Sequence, residues 1–130
     1  MSDTHGAVWW TELNTRDIDK ALAYYKATLG WDFDTMKLDN GEDYHIAMLD
    51  GRAIAGLLDI SKSEFHKGMA AHWCSYFAVD DVDAIMRTTV AAGGSVRRAP
   101  FDVPGIGRIA ILVDPSGVVM GMMTPSGDTG

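Results

Sequence analysis

Residues 8–30 read VWWTELNTRDIDKALAYYKATLG, and residues 72–94 read HWCSYFAVDDVDAIMRTTVAAGG. The second stretch lies 64 positions after the first and aligns with it without a gap. In both, an apolar run is followed by acidic residues, a helical pattern and a closing glycine. The identical pairs are Trp9/Trp73, Asp17/Asp81, Asp19/Asp83, Ala27/Ala91 and Gly30/Gly94. We infer that the chain contains two copies of one module.

The composition is that of a globular protein, with 130 residues, 47% of them hydrophobic and 22% charged. The net charge of −7 argues against nucleic acid and against an anionic membrane surface as partners. No apolar run approaches the roughly 18–20 residues of a membrane-spanning helix, and residues 1–5 do not resemble a signal peptide. The single cysteine, Cys74, cannot form a disulfide within the chain. These features predict a soluble protein of the cytoplasm.

The first module is predicted to span about residues 6–60 with the order β-α-β-β-β. Its predicted strands are 6–14, 31–38, 44–49 and 52–60. Thr15 is the predicted N-cap of the helix, which ends at Gly30. Turns are predicted at residues 39–41 and at Asp50-Gly51, the second of which is typical of a hairpin.

The second module is predicted to span about residues 71–124, after a linker at 61–70, so that residues 1–130 form a single domain. Its predicted strands are 72–79, 95–99, 108–113 and 118–124. The helix is predicted to begin at Asp80-Asp81 and to end at Gly93-Gly94. The loop 100–107 contains two prolines and two glycines, and residues 102–107 are a candidate mobile lid. The tail from Pro125 is predicted to be frayed.

Strand alternation places Trp10, Glu12 and Asn14 on one face of the first strand. By the repeat, Cys74 and Tyr76 occupy the equivalent positions of Trp10 and Glu12 in the second module. This face carries most of the candidate functional side chains.

The duplicated β-α-β-β-β module resembles the vicinal oxygen chelate superfamily of glyoxalases, bleomycin-resistance proteins and extradiol dioxygenases. The resemblance covers about the whole chain, and its motifs are the first strand running into Asp17, the helix exit at residues 24–31, and the segments 79–82, 104–108 and 114–117. It implies an α+β fold in which two tandem modules curl their sheets into a half-open barrel around one pocket. It also implies a homodimer, since single-domain relatives usually dimerise.

In metal-dependent members of that superfamily, the first and last strands of each module each supply one metal ligand. Counted from Asp17 and Asp114, and transferred through the repeat, these positions fall on Trp10, Gly56, Cys74 and Gly121. Indole cannot ligate a metal and glycine has no side chain, so only Cys74 is a possible ligand. A divalent metal, or any other cofactor, is therefore not expected. An alternative metal site built from Glu12, His72 and Cys74 is a weaker hypothesis.

The expected pocket is mostly apolar with a few polar groups, as is typical of small-molecule sites. The two glycines are predicted to leave space, and Trp10 and Tyr76 to form apolar walls. Glu12, buried beside aromatic rings, is predicted to have a raised pKa that suits a general acid or base. Alternatively, Glu12 pairs with Arg108 or Arg52 and has a structural role. The candidate ligand-binding residues are Trp10, Glu12, Asn14, Gly56, His72, Cys74, Tyr76, Arg108 and Gly121.

Three functions remain open at this stage. The first is a protein that binds a small organic molecule without a metal. The second is a metal-independent lyase, isomerase or hydrolase that uses Glu12 with Tyr76 or His72. The third is a metal-dependent glyoxalase or dioxygenase, which Trp10, Gly56 and Gly121 disfavour. The sequence does not identify the ligand.

Overall fold

The computed structural model describes residues 4–38, 41–103 and 106–126, which form eight strands, two α-helices and one short 3-10 helix. The strands are β1 (Val8–Thr15), β2 (Asp32–Lys37), β3 (Asp43–Leu49), β4 (Arg52–Asp59), β5 (His72–Ala78), β6 (Ser95–Val103), β7 (Gly107–Val113) and β8 (Val119–Pro125). The helices are α1 (Ile18–Leu29) and α2 (Val82–Ala91), and the 3-10 helix is Glu64–His66. The predicted α+β class with two β-α-β-β-β modules is confirmed. None of the helices in the described part of the chain is long and apolar enough to span a membrane.

The chain divides into two compact units, the first of which comprises residues 10–73. Its strands are ordered β2-β3-β4-β1, with β1 parallel to β4 and the other pairs antiparallel. The core lies between the sheet and α1, because apolar side chains of three strands pack against one stripe of the helix. The buried members are Leu13, Ala47, Ala55 and Leu57, and the helix contributes Ile18, Ala21, Leu22 and Tyr25.

The ends of α1 are fixed by local hydrogen bonds. The Asp17 side chain accepts from the backbone N–H of Lys20 and is the N-cap, so the prediction of Thr15 was wrong by two residues. The Thr15 hydroxyl instead accepts from the N–H of Asp17. Gly30 has φ 72°, and its N–H donates to the carbonyl of Lys26, as predicted for a glycine that ends a helix.

The turn between β3 and β4 is the predicted hairpin at Asp50-Gly51, where both residues have positive φ, 52° and 77°. Two residues further along, the register shifts, so that Ala47 pairs with Ala55 while Met48 pairs with Ala53. Ile54 is the extra residue of this bulge. Since directly opposite residues share a sheet face, the bulge decides which face each β3 side chain occupies.

Residues 61–70, predicted as a linker, belong to the first unit and are held there by Arg16. The Arg16 guanidinium donates to the carbonyls of His66 (2.8 Å) and Met69 (2.7 and 3.1 Å). The ring of Trp73 makes T-shaped contacts with the rings of Tyr25 and Trp31, which stack on each other.

The second unit contains the N-terminal residues up to Trp9 and the chain from Cys74 onward. Its strands are ordered β5-β8-β7-β6, with β5 parallel to β8. The Asp81 side chain caps α2 by accepting from the N–H groups of Asp83 and Ala84. The core lies between sheet and helix as in the first unit, and its buried members are Val79, Val82, Ala110, Leu112 and Met120.

β6 is longer than predicted, because it runs through Pro100 to Val103. A proline is tolerated there since β6 is an edge strand. Asp102 pairs with Arg108, and Gly107 begins β7, so most of the proposed lid 102–107 belongs to a hairpin. The remaining lid residues 104–105, the turn residues 39–40 and the tail residues 127–130 lie outside the described residues.

Candidate functional site

The sheet of the first unit has one face that is not covered by α1. We call it the first face; its members include Trp10, Glu12, Asn14, Tyr44 and Gly56. Leu13 packs under the helix, so its even-numbered neighbours on β1 point to the opposite side, as predicted. Glu12 lies directly opposite Gly56 in the parallel pair of β1 and β4.

The indole of Trp10 is bound to a residue that the sequence analysis did not select. Its Nε1–H donates to the Tyr44 hydroxyl at 3.0 Å. The phenol of Tyr44 also covers Gly56, where a Cβ atom would overlap the ring and its oxygen. The prediction that Gly56 leaves open space is therefore wrong, because Tyr44 fills that space.

Glu12 is a buried carboxyl group, with 7% of its surface exposed. Of the two arginines considered as its structural partners, Arg52 begins β4 at an exposed position, and Arg108 is bound to two other carboxylates. Its raised pKa and its catalytic role stay predictions.

Asn14 and His72, both of them candidate residues, lie close together. Asn14 is 2% exposed, and its Nδ2 lies 3.5 Å from Nε2 of His72. Nδ1 of His72 lies 2.8 Å from the carbonyl oxygen of Ala70. A carbonyl only accepts, so Nδ1 donates to it, and in the tautomer with its proton on Nδ1 the other nitrogen, Nε2, accepts from Asn14.

The second unit has an equivalent face turned away from α2, which we call the second face. Its members include Cys74, Tyr76, Ala78, Gly121 and Met123, all of which are buried. Tyr76 pairs with Gly121 in the parallel pair of β5 and β8, matching Glu12 and Gly56. The Tyr76 ring occupies the space that a side chain at Gly121 would need. The expectation of open space is therefore wrong at this glycine too.

The structure does not bring Arg108 to the second face. Arg108 shares a side of β7 with the core residues Ala110 and Leu112, and so lies on the helix side of the sheet. There it donates to Asp83 of α2 (2.8 and 3.1 Å) and to Asp102 of β6 (3.2 Å). Hydrogen bonds from Arg108 hold the pKa of Asp83 below its usual range, although partial burial opposes them.

The residues at the four superfamily metal positions do not fit a divalent metal. Trp10 offers an N–H that is already donated to Tyr44, and tyrosine rings fill the side-chain space at Gly56 and Gly121. Cys74 is the only possible donor among the four. Within the described residues, no group of three or more His, Cys, Asp or Glu side chains is placed to hold a metal ion, so Glu12, His72 and Cys74 do not form one.

A surface groove of about 310 Å³ lies elsewhere in the first unit, near the β2–β3 hairpin. It contains none of the nine candidate residues and is lined by charges of both signs. Two of these, Lys37 and Asp43, form an ion pair at 2.6 Å. The lining residues are Ile18, Lys37, Gly41, Glu42, Asp43, His45, Asp59 and Lys62.

Sequence comparison identifies relatives over most of the chain. Residues 7–121 match the model of the glyoxalase/bleomycin resistance protein/dioxygenase superfamily. The chain is 36% identical over 121 residues to CFP32 of Mycobacterium tuberculosis, which carries the provisional name of a glyoxylase. It is 31% identical over 122 residues to the anthracycline biosynthesis protein DnrV of Streptomyces peucetius. These matches cover 93% and 86% of this chain but only 45% and 44% of the two relatives.

Solved structures with the same fold include methylmalonyl-CoA epimerases. The epimerase from M. tuberculosis superposes with a TM-score of 0.67 at 19% identity, over 99% of this chain and 95% of that chain. A methylmalonyl-CoA epimerase in complex with methylmalonyl-CoA and NH4+ gives 0.67 at 21% identity, over 95% and 96%. At such identities the likeness shows the fold. The family model, which matches residues 7–121, establishes that the chain belongs to the glyoxalase/bleomycin resistance protein/dioxygenase superfamily.

Proposed function

We propose that this protein binds a small organic molecule on the first face without a metal ion. The observation that carries the proposal is that the Tyr44 ring covers Gly56. Gly56 is one of the four metal-ligand positions of the superfamily, and here an aromatic wall occupies the space of the metal-binding side chain. Trp10 is fixed beside it through the hydrogen bond to Tyr44. Aromatic walls with a few oriented polar groups are typical of sites for organic ligands.

The polar groups of the first face support the same proposal. Glu12 and Asn14 are both more than nine-tenths buried on the sheet face turned away from α1. Burial of a polar atom without a hydrogen bond costs free energy, and Oδ1 of Asn14 is such an atom, so a purely structural role would favour an apolar residue at position 14. A role in orienting a bound ligand would explain why polar side chains are buried at these positions.

A thermal-shift screen of small organic molecules, run on protein treated with a chelator, tests the proposal. A ligand that binds only the native state raises the melting temperature. We expect at least one organic compound to do so in the metal-free protein, and divalent metals alone to have no effect. The proposal would be contradicted if protein purified without a His tag contained stoichiometric zinc, iron or manganese and if organic compounds bound only when that metal was present.

A second candidate function, catalysis by Glu12, is favoured by the burial of this carboxyl group beside Gly56. It would act as the general base of a lyase, isomerase or hydrolase. Glu12→Gln should abolish turnover of a bound compound while leaving its affinity nearly unchanged. If the variant instead turns over the compound at the wild-type rate, Glu12 is not the base. Metal-dependent glyoxalase or dioxygenase chemistry is not proposed, because the residues at the metal positions do not fit a metal.

We also propose that the protein is a homodimer. Several large apolar side chains are exposed, among them Tyr24 (59%), Leu29 (52%) and Val90 (55%), and a second copy of the chain would cover such groups. Sedimentation equilibrium should give twice the monomer mass of 14.1 kDa; a monomer at micromolar concentration would contradict it. Location in the cytoplasm and the lack of a nucleic-acid partner stay predictions.

A further inference from the structure

Among the described residues, the carbonyl oxygen of the Asn14 side chain is a buried polar atom without a hydrogen-bond partner. Asn14 is 2% exposed, and no described residue donates a hydrogen bond to its Oδ1. An acceptor in this state loses its hydration without replacement, which costs about 1–3 kcal/mol. Buried polar side chains in native proteins are nearly always bonded, so this oxygen requires an explanation.

The neighbouring histidine determines which end of the Asn14 amide lacks a partner. Nδ1 of His72 donates to the carbonyl of Ala70, which leaves Nε2 as an acceptor. The amide NH₂ of Asn14 therefore faces Nε2, and the amide oxygen faces away from it. This orientation follows from the hydrogen-bond network rather than from the appearance of the two atoms.

The fold itself does not need an amide at this position. The repeat places Ala78 of the second unit at the position of Asn14, and Ala78 is equally buried, at 1% exposure. Each residue lies two positions after the one paired with the glycine of its module. The same strand is therefore built with alanine in one unit and with asparagine in the other, and the difference points to recognition rather than to folding.

We propose that the molecule bound on the first face donates a hydrogen bond to Oδ1 of Asn14. This inference rests on the proposed function and narrows its ligand class to compounds with a hydroxyl or an amide N–H. Groups that only accept, such as ethers and carboxylates, would leave Oδ1 unpaired. A carboxylate would also approach Glu12, two residues along the same strand face.

Matched pairs of aromatic probes test the assignment. Phenol and benzamide carry a donor, whereas anisole and N,N-dimethylbenzamide are their methylated counterparts without one. We expect the donor compounds to bind the wild-type protein about 10- to 100-fold more tightly, as measured by NMR titration. In Asn14→Ala, for which Ala78 is the precedent, the ratio should fall to about one. A crystal structure of the wild-type protein with phenol provides an independent test if the variant does not fold.

The possible failures are distinguishable. Equal binding of both members of each pair, or a ratio that persists in Asn14→Ala, would overturn the inference and leave the proposed function intact. An ordered water alone on Oδ1, with phenol bound elsewhere, would also overturn it. If these probes and the wider organic screen all fail to bind the wild-type protein, the proposed function fails and this inference fails with it.

Discussion

The two units share one plan but differ in the side chains on the sheet faces that point away from their helices. At three matched positions, Trp10, Glu12 and Asn14 of β1 correspond to Cys74, Tyr76 and Ala78 of β5. The first set contains a carboxyl group and an amide, whereas the second contains a thiol, a phenol and a methyl group. A duplicated scaffold has thus kept its backbone pairing while the buried amide and carboxyl group are confined to one copy.

The units also fill the space over their glycines in different ways. In the first unit the ring comes from the neighbouring strand β3, and the hydroxyl end of Tyr44 lies over Gly56. In the second unit the ring belongs to the strand paired with Gly121, and the part of Tyr76 nearest to its backbone covers the glycine. The terminal atoms of a side chain move more easily than atoms next to its backbone, so the first face should adapt more readily.

Glycine-to-alanine substitutions give the largest expected effect and test this difference directly. Both should destabilise the protein, because overpacking a buried site costs about 1–3 kcal/mol. Gly121→Ala should cost more than Gly56→Ala, since the Tyr76 ring cannot swing away. Urea denaturation measures both free energies of unfolding. Equal costs in free energy of unfolding would show that the two rings are equally rigid. As a control, Tyr44→Ala should remove most of the cost of Gly56→Ala, and Tyr76→Ala most of the cost of Gly121→Ala.

The helix caps give a second, smaller comparison. Asp81 accepts two backbone N–H groups of α2, whereas Asp17 accepts one of α1. Replacement of an N-cap by alanine costs about 0.5–2 kcal/mol. We expect Asp81→Ala to lie near the upper end and Asp17→Ala near the lower end in chemical denaturation, with the Asp→Asn variants close to wild type. The reverse order would mean that the number of capped N–H groups does not set the cost.

The Trp10–Tyr44 hydrogen bond depends on an indole, and the second unit has Cys74 at the matched position. Tyr44→Phe removes the acceptor and should cost about 0.5–1.5 kcal/mol. The indole N–H signal of Trp10 should also shift in the NMR spectrum, while those of Trp31 and Trp73 should not. An unchanged Trp10 signal would contradict the hydrogen bond seen here.

Each unit also has a carboxylate whose pKa is lowered, chiefly by a hydrogen bond from a basic side chain: Asp83 with Arg108, and Asp43 with Lys37. A carboxyl group with a lowered pKa in the folded state adds stability above its ordinary value of 3.8. That stability is lost as the pH falls through the folded value. Arg108→Met and Lys37→Met should therefore destabilise slightly at about pH 6, and the difference from wild type should vanish in strong acid. A constant difference at all pH values would assign the loss to packing.

Much of the fold could be predicted from the sequence because its signals are local. Alternation located the strands, Gly30 ended α1, and Asp50-Gly51 made a hairpin with two positive φ angles. Arg108 was harder to place, because β7 is apolar on both faces: Ala110 and Leu112 face the helix core, and Ile109 and Ile111 alternate with them. Alternation cannot choose a face when both sets are hydrophobic.

Tyr44 was missed for a reason that the sequence does not show. Without the bulge at Ile54, counting back from Asp50-Gly51 would place His45 opposite Gly56 and turn Tyr44 to the helix side. The register shift between Ala47 and Met48 instead places Ile46 opposite Gly56, and Tyr44 on the same face. One extra residue in β4 thus changes the sheet face on which the side chains of β3 before the bulge lie. Side chains that fill the space over a glycine depend on this register.

Binding of an organic ligand to the first face without a metal is the central proposal for this protein. The most direct measurement is an NMR titration of the chelator-treated protein with a compound that raises its melting temperature. We predict that the Trp10 indole N–H and the Asn14 side-chain amide shift together in proportion to bound ligand. If neither signal shifts when the compound binds, or if both shift only after a divalent metal is added, the proposed metal-free site is contradicted.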